Sequence, residues 1–131
     1  MNKEFVPYEQ ALALKELGFD EQCSGWYSDR NIRIAGTNGC VVSKLLRNSE
    51  FIEDEEFVSA PLYQQAFRWF REKHMLHSNI GFDSWHTNEY MIDIVKEGDK
   101  AFHYDDPTLY KTYEKAEVTC LNKLIELVKQ K

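Results

Sequence analysis

The 131-residue chain sets 22 Asp and Glu against 16 Lys and Arg, a net charge of -6, with 43% apolar, 29% charged and 14% aromatic residues. This is the balance of an ordinary globular chain, and it fits one domain that buries about two thirds of the surface its unfolded form exposes. It disfavours direct nucleic-acid binding, which draws most of its strength from Lys and Arg, and no apolar run approaches the roughly 18 to 20 residues of a membrane span.

The opening MNKEFVPYEQ lacks the apolar centre of a signal peptide, so a cytoplasmic protein with no membrane partner is expected. Pro7 suits a first helical turn, and Ala11, Leu12, Leu14 and Leu17 follow at helical spacing before Gly18, predicting a helix over 7–17. In CSGWYSDRNIRIAG, Ile32 and Ile34 alternate against Arg33 beyond the polar turn Ser28-Asp29-Arg30-Asn31, the pattern of a β-hairpin. Val41 and Val42 after Asn38-Gly39 offer a third strand near 40–46, or equally a buried loop.

Residues 50–56 concentrate Glu50, Glu53, Asp54, Glu55 and Glu56 around Phe51 and Ile52, a composition that suits a solvated arm. Pro61, with Ser59 as its cap, opens a helix to about His74. At about 100° per residue, Leu62, Tyr63, Ala66, Phe67, Trp69 and Phe70 share one arc, while Gln64, Gln65, Arg68, Arg71 and Glu72 take the other. That is a core stripe with a polar back rather than a base-stacking platform, because the arginines stand away from the aromatic centre. Trp69, at one margin, is expected to be half exposed and available to a partner.

Further on, Tyr90, Ile92 and Ile94 alternate with Met91, Asp93 and Val95, predicting a second hairpin through 79–96 with its turn near DSWHTN. HYDDPTLYKTY reads as a loop. The C-terminal stretch has Ala116, Cys120, Leu121, Leu124, Leu127 and Val128 at helical spacing, with Thr112 as its cap. The order predicts an α+β domain spanning 1–131, three helices packed on a largely antiparallel sheet of four to five strands.

Residues able to carry chemistry are sparse. Cys23, Cys40 and Cys120 are odd in number and widely spaced, fitting free thiols; Cys23-Ser24-Gly25-Trp26 only loosely suggests an exposed nucleophile, and Cys120 sits on the apolar side of its helix. GTNGC has neither the length nor the ending of a phosphate-binding loop. His74 and His77, or His103 with Asp105 and Asp106, offer donors for a metal-assisted hydrolase, but without an H-E-x-x-H arrangement, so no catalytic residue, metal or cofactor is assigned.

Three stretches together carry a resemblance: FVPYEQALALKELGFDEQC with the Trp-Tyr hairpin after it, SAPLYQQAFRWFREKH, and TYEKAEVTCLNKLIELVK. They resemble a group of small uncharacterised proteins of phages, prophages and other mobile elements of Bacteroidetes-type bacteria, over about half the chain. The resemblance implies a shared helical core and divergent loops where partner choice resides; it supplies no catalytic residues. As a class, small acidic mobile-element proteins are similar to inhibitors of host defence, anti-CRISPR proteins among them.

The expectation is therefore a non-enzymatic protein-binding module, a monomer or dimer, that meets a host defence or nucleic-acid-processing complex through Glu50, Glu53, Asp54, Glu55 and Glu56 and through Trp69, Arg68 and Arg71. An accessory role in phage replication or regulation is the alternative beside the hydrolase.

Overall fold

The computed structural model describes residues 3–35, 47–50 and 57–130. Among the described residues, three α-helices and six strands order as α1 (Tyr8–Glu16), β1 (Gly25–Ser28), β2 (Asn31–Ile34), β3 (Phe57–Ala60), α2 (Tyr63–His74), β4 (Leu76–Asp83), β5 (Glu89–Lys96), β6 (Asp99–Asp105) and α3 (Tyr113–Lys129), with a short 3-10 turn at Asn48–Glu50. The α+β class holds. The single sheet of four to five strands is corrected to two antiparallel sheets of three, ordered β2-β1-β3 and β4-β5-β6. They form separately because α2 intervenes between β3 and β4, while tight turns close β1-β2, β4-β5 and β5-β6 locally. By internal contacts the chain divides into two compact units, Met1–Gln65 and Ala66–Lys131, with the boundary inside α2.

In the first unit, α1 begins after Pro7 and ends at Leu17, and Gly18 follows at φ 96, the left-handed conformation that favours glycine past a helix end. The β1-β2 turn is two residues long, Asp29 at φ 52 and Arg30 at φ 66, the pair of positive values that matches the twist of a tight hairpin. Strand β1 is central: Trp26 stands opposite Arg33 on one side and Ser59 on the other. Gly25 is required there, since a Cβ would lie 2.8 Å from the Phe5 ring. The N-terminal segment is tied down by Val6 N–H to the Pro61 carbonyl at 2.8 Å, Tyr63 N–H to the Glu4 carbonyl at 2.9 Å, and the Tyr27 hydroxyl to the Val6 carbonyl at 2.7 Å. Val6, Leu14, Phe19 and Val58 are fully buried.

Ser59 does not cap α2. It lies in β3, buried, and its N–H donates to Asn48 Oδ1 at 2.8 Å while Asn48 Nδ2 donates to the Phe19 carbonyl at 2.8 Å. One buried amide thus bridges the 3-10 turn, the segment after α1 and β3. The strand expected near 40–46 lies outside the described residues, whereas β3 and β6 were not anticipated.

The second unit contains the continuation of α2, the three-stranded meander and α3. The helical arithmetic for α2 is borne out: Tyr63, Ala66, Phe67 and Phe70 are buried, and Gln64, Arg68, Arg71 and Glu72 are exposed. Trp69 is buried too, at 5% exposure, against the expected half-exposed margin. Its indole packs edge-on against Phe70 at 5.1 Å and His74 at 4.8 Å, so the apolar arc is wider than its central residues suggest. The eight-residue pairing of β4 with β5 sets Ile80 against Ile92 and Ser78 against Ile94. Helix α3 covers that face, with Cys120, Leu121 and Leu124 buried.

Thr112 caps α3 as expected, its Oγ1 accepting the Lys115 N–H at 3.1 Å. Thr112→Ala is expected to lower stability by about 1 kcal/mol in urea unfolding, the usual worth of such a cap, while Thr112→Asp keeps it.

Candidate functional site

Alternation along the second sheet puts His77, Asn79, Met91, Asp93, Val95, His103 and Asp105 on the face opposite Ile92 and Ile94. Asp93 and Asp105 stand directly opposite each other, an unfavourable like-charge pair, with His103 Nε2 3.5 Å from Asp93 Oδ2. His77 Nε2 lies 3.1 Å from Glu97 Oε2, and His74 stacks on Trp69 and Phe70. Asp106 turns elsewhere: its Oδ2 accepts the Tyr110 hydroxyl at 2.6 Å and its Oδ1 the Thr108 N–H at 2.9 Å. The histidine and aspartate donors proposed for a metal do not converge, and among the described residues no three His, Cys, Asp or Glu side chains are arranged to hold one.

Cys23 is buried rather than exposed. Its thiol donates to the Glu21 carbonyl at 3.4 Å, and burial, reinforced by Glu21, pushes its pKa up to about 12. Burial does the same for Cys120, also to about 12. A thiol that holds its proton so firmly is a packing group rather than a nucleophile. Cys40 lies outside the described residues.

Of the expected partner-binding set, Glu50 accepts the Arg47 N–H through Oε1 at 3.1 Å, folding it onto its own turn. Glu53, Asp54, Glu55 and Glu56 lie outside the described residues. Arg68 and Arg71 project from the exposed side of α2. Trp69, being buried, presents no indole to a partner.

Among the described residues, the large exposed apolar side chains do not include Trp69. Among those residues they are Met75, Phe82, Trp85, Met91, Val95, Leu109 and Tyr113, all within 66–131. Trp85 stands out at 91% exposure, at the tip of the β4-β5 turn. That turn is braced by one carboxylate: Asp83 Oδ1 accepts the N–H groups of Trp85 at 3.1 Å and His86 at 3.2 Å, and Oδ2 accepts the Thr87 hydroxyl at 3.4 Å. Asn88, at φ 55, closes it by donating its N–H to the Asp83 carbonyl at 2.8 Å. Against partial desolvation, the N–H groups of His86 and Trp85 and the His86 ring hold the Asp83 carboxyl below its ordinary pKa. The brace thus needs an ionised Asp83 and is lost only as pH falls through that lowered value. Behind the turn, the half-exposed Phe82 packs on Tyr90 at 4.9 Å, and Tyr90 on Tyr113 at 5.7 Å.

DSWHTN was legible as a turn, but not as a platform, because the acceptor role of Asp83 depends on a register that composition does not reveal. Glu117 was missed as well. It sits on the covered side of α3, 8% exposed, and burial followed by the charge of Glu114 raises its pKa to about 7. Its position three before Cys120 and four before Leu121 was the available signal.

Among the described residues, no helix is long and apolar enough to cross a membrane. Compared with protein-family models, curated proteins and solved structures, the chain matches none.

Proposed function

We propose that this chain is a small non-enzymatic protein-binding module, encoded by a mobile element, that docks on a larger host complex such as an antiviral defence effector. The observation that carries the reading is the group of exposed apolar side chains that the described residues of the second unit present on an acidic chain, with Trp85 the most exposed and Phe82 near it in sequence. Tryptophan and other aromatic side chains are the commonest energetic anchors of protein interfaces, and an anchor held in place before binding loses little freedom when it docks. Negative charge around such an anchor favours a basic partner, the electrostatic character of proteins that hold nucleic acid, and speeds encounter with it. The acidic 50–56 segment contributes to the net charge of -6.

The test is affinity purification of the tagged chain from the bacterium that carries it, with nucleic acid digested in one half and retained in the other. Near-stoichiometric recovery of one complex in both halves is expected. Recovery that vanishes on digestion would replace protein docking with a nucleic-acid bridge, and recovery of no complex from folded protein would end the binding-module reading.

A further inference from the structure

Strand β4 leaves one row of backbone groups open. Tyr90 exchanges both of its backbone hydrogen bonds with Tyr110, at 2.7 and 2.8 Å, and the Ile92 carbonyl accepts the Asp106 N–H, so these residues of β5 turn their backbone groups away from β4. Phe82 opposite Tyr90, Ile80 opposite Ile92 and Ser78 opposite Ile94 are then the non-hydrogen-bonded pairs of the ladder, and their own N–H and C=O groups point out of the sheet. No other described residue pairs with them, since β4 is the outer strand in the order β4-β5-β6. A row of this kind is a template for an added strand.

The residues along that row select the occupant. Leu76 is 2% exposed, so its backbone is covered and the open row begins at Ser78. Residues 78–82, Ser-Asn-Ile-Gly-Phe, carry no charge; Asn79 is exposed and Phe82 half exposed. An antiparallel row is its own complement: about a two-fold axis at Ile80, Ile80 meets Ile80 and Ser78 meets Phe82 on either side, making roughly six hydrogen bonds at two per pair. On the side of the sheet that α3 covers, this register sets each Phe82 ring diagonal to the other copy's Ile80, so two rings and two isoleucines form one apolar strip. On the opposite side, each Asn79 stands beside Gly81, which has no side chain to crowd it. Asp83, the first charged residue beyond the row, comes opposite His77, so no two like charges meet.

We infer that the chain forms a two-fold dimer in which the β4 strands of two copies pair antiparallel about Ile80. The contact is closed, because each copy's open row is used up by the other's. A ladder this short makes a small interface, so the dimer is weak and concentration-dependent. The inference goes beyond docking on a host complex and is measured on the purified chain alone, so either reading can fail without the other.

Sedimentation velocity of the full chain from about 5 to 500 µM reads the dimer, a range chosen for the weak, transient class of interface. The sedimentation coefficient is expected to climb with concentration and level off at the dimer. Amide hydrogen exchange followed by NMR locates the contact: the N–H groups of Ser78, Ile80 and Phe82 are expected to slow as concentration rises, while those of Asn79 and Gly81, bonded to β5, stay slow throughout.

Two double variants test the register. Asn79→Lys with Gly81→Lys, and separately Asn79→Glu with Gly81→Glu, set like charges opposite each other at two places and are expected to stay monomeric. Asn79 is exposed, and a Cβ at Gly81 would meet only Met91 Cγ, at 3.6 Å, so both variants are expected to keep the native circular dichroism. Mixed in equal amounts they set opposite charges together at both places and are expected to dimerise again. Association that survives either double variant, or a mixture that stays monomeric while the unmodified chain dimerises, overturns the pairing of these strands. A chain that remains monomeric at every concentration overturns the second copy as occupant and leaves β4 to a strand of another protein.

Discussion

Asn48→Ala is expected to destabilise the chain by about 2 to 4 kcal/mol, because it strands two buried backbone groups that each cost about 1 to 3 kcal/mol when left unpaired. Asn48 is 8% exposed; its amide gives one hydrogen bond to the Phe19 carbonyl and takes one from the Ser59 N–H, both at 2.8 Å. Neither partner belongs to the same element as Asn48, so no local structure replaces the lost bonds. Asn31 is a fair control: its side chain donates to the Asp29 carbonyl at 3.2 Å in an exposed turn, and its replacement by alanine is expected to shift stability by less than about 0.5 kcal/mol. Urea unfolding at neutral pH reads both. Equal midpoints for the two variants would mean that the bridge contributes nothing beyond a solvated hydrogen bond.

Glu117 should give the chain an inverted pH dependence. The native carboxyl titrates at about 7 and its ordinary value is 4.5. The folded state therefore prefers the protonated acid. Stability from this group is complete below about pH 4.5, is lost as pH rises towards 7, and is flat above, a change on the order of 3 kcal/mol for a difference of this size. Tyr113, Glu114 and Cys120 are its electrostatic neighbours on α3, and burial raises the pKa of both Tyr113 and Cys120, so neither offers Glu117 a charge partner near neutrality.

Glu117→Gln keeps the shape without the charge. It is expected to raise stability at pH 8 by about 2 kcal/mol and to remove the decline between pH 5 and 7. Asp83 and Asp106 act in the opposite sense, being held below their ordinary values and losing their contribution only in acid. The difference between the two stability curves isolates Glu117. Parallel curves across that range would place its carboxyl in water.

The helices were the most legible part of the fold because their signals are local. Pro7, Gly18 and Thr112 mark ends, and the 3.6-residue spacing of Phe67 with Phe70, or of Cys120 with Leu124, marks the covered sides. The hairpin turns at 29–30 and 84–88 were legible for the same reason. Strand β3 was not, since Val58, Ser59 and Ala60 are buried in succession and leave no alternation to read. Nor was β6, where Phe102 and Tyr104 do alternate with His103 and Asp105 but among enough acids to resemble a loop.

The surface was less legible still. Trp69 and Trp85 are the same residue type in polar company, and at 5% and 91% exposure one packs on Phe70 and His74 of its own helix while the other stands on an Asp83-centred turn.

Strand β6, last in its sheet, bears on how the chain avoids growing the wrong way. An unpaired sheet margin invites another strand to add to it, and proteins blunt that tendency by lining it with charge. Four of the seven residues of β6 are Asp99, Lys100, His103 and Asp105, and Asp105 already faces Asp93 across the ladder. An added strand would have to confine its own side chains beside that repulsive pair and desolvate it. The charge that makes β6 hard to recognise in the sequence thus also works against indefinite sheet extension.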